Sequence, residues 1–136
     1  MTYTEALSTL TKLVLSYPQI RQTGSQEEVQ LLRDEISEAL YHFGDTYAYI
    51  RSAAERAESN LKNCLNENRK RIKSELGDKK GTVAAVDLEA NLSCKELQDE
   101  LLDRNEDHYL ARSLLDRSEQ ILNAISSRLK LNSRHE

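Results

Sequence analysis

The sequence predicts an all-α protein, a short amphipathic N-terminal helix followed by a long antiparallel helical hairpin, assembling through coiled-coil-like seams into an oligomer. Three observations carry this prediction. Between Glu35 and Leu65, apolar or small residues recur at alternating spacings of four and three: Ile36, Leu40, Phe43, Tyr47, Ile50, Ala54, Ala57, Leu61 and Cys64. That heptad rhythm belongs to a helix with a helical partner, whereas a strand would alternate every second residue. One Pro, four Gly, one Phe and no Trp leave the chain without the turn punctuation of a sandwich or barrel. Finally, Thr2 with Glu5, Ser25 with Glu28 and Ser93 with Glu96 have capping-box spacing and mark helix starts.

The first helix follows Thr2, places Leu7, Leu10, Leu13, Val14 and Tyr17 on one face, and is expected to stop at Pro18, which supplies no backbone N–H. Gln19 to Gly24 then reads as a linker. The second helix opens at Ser25 and runs from about Gln26 to about Leu76. Gly44-Asp45 is its weak point, since Gly costs a helix interior ~1 kcal/mol relative to Ala. The heptad keeps its phase across that dipeptide, which predicts a continuous or gently kinked helix. Ala54 and Ala57 narrow the seam and predict close helix approach there.

Gly77 to Gly81 reads as a polar turn, and Thr82 as the cap of a short helical piece holding Val83, Val86 and Leu88. A last helix is expected from about Cys94 to about Leu131. Its seam is Leu97, Leu101, Leu115, Leu122, Ile125 and Leu129, interrupted by Arg104, His108 and Ala111, with Leu110, Leu114 and Ile121 as a second ridge. Residues 1–136 read as one helical domain, with 1–24 as N-terminal helix and linker and 25–136 as hairpin. A hydrophobic content of 38% against 31% charged residues buries a narrow stripe, so self-association is expected to supply the missing burial.

No apolar run approaches membrane-spanning length and no basic flank precedes one, which predicts a soluble, cytoplasmic protein without a membrane partner. Cys64 and Cys94 lack the spacing and the His neighbours of a zinc site and read as free thiols of a reducing compartment. Three His, no Gly-rich phosphate loop and no nucleophile beside a base point away from an enzyme, a metal site or a cofactor.

Charge is distributed unevenly around a formal net value of -4. Lys62, Arg69, Lys70, Arg71, Lys73, Lys79 and Lys80 form a basic block, and the stretch from Asp87 to Asp107 is acidic. Phosphate binding needs cations along an accessible surface rather than at a fixed spacing, so the basic block is the candidate nucleic-acid contact, with Arg128 and Lys130 as a second candidate. The alternative is internal pairing, because a hairpin brings the acidic start of the last helix beside the basic end of the second. Tyr41 and Tyr49 lie off the seam, are therefore expected to be exposed, and are candidates for base stacking.

Leu61-Lys62-Asn63-Cys64-Leu65, the polar turn, Gly81-Thr82-Val83-Ala84-Ala85, Tyr109 to Leu115 and Ile125 to Leu129 occur in an order that resembles the UvsY-type recombination mediators of tailed phages. The resemblance covers roughly Tyr47 to Arg134. That family carries a Leu-Lys-Ala-Arg-Leu motif that supports single-stranded DNA binding. Leu61, Lys62 and Leu65 match it and Asn63 and Cys64 depart, so Lys62 alone carries over. The resemblance implies a homo-oligomer, a ring or cluster, that binds single-stranded DNA and helps a RecA-like recombinase displace the single-strand binding protein. It would work in the cytoplasm of the infected bacterial host. Two other classes fit the composition: a phage helical scaffold or assembly protein, and an acidic inhibitor of a host nucleic-acid-binding enzyme.

Overall fold

The computed structural model describes residues 2–76 and 83–134, which form four helices and no strand. These are α1 (Tyr3–Thr23), α2 (Gln26–Leu76), α3 (Val83–Ser93) and α4 (Lys95–Arg134). The all-α prediction is met. The predicted polar turn, the Thr82 cap, Lys79 and Lys80 lie outside the described residues.

α1 begins as its residues dictate. The Thr2 hydroxyl accepts the Glu5 backbone N–H at 3.2 Å, and the Glu5 carboxylate accepts the Thr2 N–H at 3.0 Å, closing the capping box. Pro18 does not end the helix, which corrects the sequence reading: it sits inside α1 on the exposed side, and the helix continues to Thr23. The Pro18 ring is on the exposed side, and continuing the helix past it half-buries Ile20. The end comes at Gly24, whose N–H reaches the Ile20 carbonyl at 2.8 Å. A Cβ at Gly24 would stand 2.5 Å from that same carbonyl oxygen, so glycine is required here by close approach. The linker therefore shrinks to Gly24 and Ser25.

Ser25 caps α2 by accepting the Glu28 N–H at 3.2 Å. α2 then runs unbroken for 51 residues through Gly44 and Asp45, as the heptad phase predicts. Ser93 does not cap the last helix, again contrary to the sequence reading. It closes α3 by donating its hydroxyl to the Glu89 carbonyl at 3.0 Å, and the break falls at Cys94, whose N–H is shared between the Ala90 and Asn91 carbonyls.

The chain divides into two compact units, residues 1–49 with 109–136 and residues 50–108. In the first unit α1, the start of α2 and the later part of α4 bury Leu10, Ile36, Phe43 and Ile125 almost completely. Ala111 and Ser118 are also fully buried, seven residues apart on α4, which brings small side chains where helices approach closely. Ser118 satisfies its hydroxyl on the Leu114 carbonyl at 2.7 Å. Arg112 forms a side-chain hydrogen bond with Tyr47 and an ion pair with Asp116, and both hold its guanidinium above its ordinary pKa.

The predicted seam is thus consumed largely within the chain. Ile36, Phe43, Ile50, Ala54, Ala57 and Ile125 are buried, and Leu40, Tyr47, Leu61, Leu115, Leu122 and Leu129 are half-buried.

Candidate nucleic-acid interface

Residues 50–108 position the basic block. Here α2 turns Ile50, Ala54, Ala57 and Ile72 inward, and Ile72 joins Val86 and Ala90 of α3 in a small core flanked by Leu65 and Leu76. Burying that stripe fixes which residues face outward. Lys62 and Lys73 are eleven residues apart, so at about 100° per residue they lie within ~20° of each other on the helix and ~16 Å apart along it. Lys70 lies on the same side. All three are exposed, and none has an ion-pair or hydrogen-bond partner among the described residues.

The arginines of the block behave differently. Arg69 is half-buried and donates from Nε to Asp87 Oδ1 on α3 at 2.9 Å. Arg71 donates to the Glu75 carboxylate at 3.0 Å and to the Asn68 side-chain Oδ1 at 3.1 Å. The internal pairing weighed from the sequence is therefore real for Arg69, yet it draws on one carboxylate of the acidic stretch. Glu96, Asp99, Glu100, Asp103 and Glu106 are exposed and have no ion-pair partner among the described residues.

Cys64 and Cys94 hold this arrangement together. They form a disulfide across a sequence separation of 30, with Cα atoms 6.1 Å apart, and so are not the free thiols expected from the sequence. Their spacing along the chain gave no hint of pairing; what joins them is α3 folding back along α2. The Asn68 amide lies 3.4 Å from each sulfur and donates to the Cys64 carbonyl at 2.9 Å. Positions 64, 69 and 72 on α2 thus meet positions 94, 87 and 86–90 in descending against ascending order, an antiparallel local pairing.

The remaining candidates lie in the other unit. Arg128 is exposed and donates from Nη1 to the Arg21 carbonyl at 3.0 Å; Lys130 is exposed. Tyr41 and Tyr49 are exposed as expected, Tyr41 standing edge-on to His42 with ring centroids 5.5 Å apart. No helix among the described residues is long and apolar enough to cross a membrane. Comparison with family models, with curated proteins and with solved structures returns no match to this chain.

Proposed function

We propose that the protein is a single-stranded-DNA-binding helper of homologous recombination, an oligomeric mediator that eases loading of a RecA-like recombinase onto DNA covered by single-strand binding protein. One observation supports it above the others: Lys62, Lys70 and Lys73 form an exposed strip on one side of α2 with no carboxylate partner among the described residues, although an acidic stretch follows in the same chain. Lysines kept free in this way are available to phosphates. Lys62 is also the position that the resemblance to UvsY-type mediators marks.

Three phosphate contacts per subunit give weak binding, so self-association multiplies the affinity through effective concentration. We place this activity in the cytoplasm. There the Cys64–Cys94 pair meets reducing conditions, and the Ile72, Val86 and Ala90 core is what keeps α3 on α2 if the bond opens. Titrating a labelled, unstructured single-stranded oligonucleotide with the protein at low salt tests the proposal. Saturable binding that weakens steeply with salt is expected, and absence of binding at low salt rejects it in favour of a helical assembly protein.

A further inference from the structure

The unit formed by residues 1–49 and 109–136 leaves an apolar groove between α1 and α4. Its lining includes Leu7, Val14, Leu110, Leu114 and Ile121, and Leu15 and Tyr109 stand at 70% exposure along it. Arg117, Arg21 and Arg128 are spaced along its length, and no Asp or Glu lines it among the described residues. Among the described residues none of these three guanidinium groups has a carboxylate partner, although the chain as a whole is acidic. A surface of this kind fits an occupant that carries leucines and carboxylates together.

Residues 50–108 carry such a surface. Leu88, Leu92 and Leu102 are 62%, 67% and 67% exposed, unusually bare for leucines on α3 and the start of α4. Interspersed with them in the sequence are exposed Glu89, Glu96, Asp99, Asp103 and Glu106, which find no ion-pair partner among the described residues. α3 has apolar residues on both sides, with Val86 and Ala90 turned into its own core, so its second apolar face remains without cover.

We propose that the arginine-rimmed groove of one copy receives the leucine-bearing acidic surface of α3 and early α4 of a second copy. Leucines would leave water for the groove, and carboxylates would meet Arg21 and Arg117 at its rim. The two contacting surfaces differ, so the contact is heterologous: repeated copy to copy, it closes into a ring or continues as a filament. This deepens the oligomeric part of the function proposed above, but it is read without DNA and stands or falls separately from the lysine strip.

Charge reversal tests it on the full chain by analytical ultracentrifugation. The wild type is expected to self-associate at micromolar concentration. R21E/R117E presents an acidic groove to an acidic surface, and D99R/D103R presents a basic surface to a basic groove, so each is expected to sediment as a monomer, with association at least tenfold weaker. Mixed in equal amounts, the two are expected to recover association, because each then meets its complement. A monomeric wild type, variants that associate like wild type, or a mixture that stays monomeric while both components retain wild-type helicity would each overturn the proposal. Should either double variant lose helicity, L92E at an exposed position decides: dissociation upholds the contact and unchanged association rejects it.

Discussion

Arg69 on α2 and Asp87 on α3 lie 2.9 Å apart, Nε to Oδ1, and their pairing marks the limit between the cations the fold consumes and those it leaves free. Both side chains keep about two-fifths of their surface in water, which limits the pair to ~0.2–1 kcal/mol of stability. Its larger effect is electrostatic, since it neutralises the arginine closest in position to Lys62 and Lys73. Asp87→Asn should therefore cost little stability and release Arg69 to the strip. Binding of single-stranded DNA should tighten at low salt and its log–log salt dependence should steepen by ~0.7, the value for one added phosphate contact. A titration series across salt concentrations measures both.

Opening the disulfide should cost more. Closing a loop of this length restricts the unfolded chain by an amount equivalent to ~3–4 kcal/mol in the chain-entropy model, for a separation of 30 residues. Thermal unfolding followed by circular dichroism should show a lower Tm with reductant than without, and the Cys64→Ser and Cys94→Ser variants should match the reduced wild type. Equal Tm values with and without reductant would mean that the bond contributes nothing.

The two glycines that the helices engage should respond in opposite directions. A Cβ at Gly44 meets nothing within 4 Å, so Gly44→Ala should stabilise the protein by ~0.5–1 kcal/mol through the helix interior of α2. At Gly24 the same change places a Cβ 2.5 Å from the Ile20 carbonyl oxygen and should destabilise. Denaturant unfolding of both variants reads the two signs in one experiment.

The helices were legible because their signals are local. Thr2 with Glu5 forms the capping box its spacing suggests, and the phase kept from Phe43 to Tyr47 carries α2 across Gly44. Pro18 misled because its cost is local, whereas the partial burial of Ile20 beyond it is tertiary. Ser118 gives no core signal in the sequence because it is polar, although its hydroxyl is satisfied within α4 and leaves a small side chain for the core.

The candidate site was legible in composition and not in pairing. Lys62, Lys70 and Lys73 could be placed on one side of a helix by counting, whereas the loss of Arg69 to Asp87 depends on where α3 returns. The same return joins Cys64 to Cys94, which residue spacing alone could not announce. Nor does hydropathy distinguish the inward residues of α3, Val86 and Ala90, from the exposed Leu88 and Leu92.

The lysine strip is the central claim, and the salt dependence of single-stranded DNA binding tests it most directly. Wild-type protein and K62A/K70A/K73A are titrated into a labelled oligonucleotide by fluorescence polarisation at several salt concentrations. With three phosphate contacts the wild-type slope should be about −2 in log–log form, and the triple variant should bind weakly with a slope near zero while keeping wild-type helicity. A triple variant that binds as tightly as wild type with the same slope would contradict the account and move the DNA away from α2.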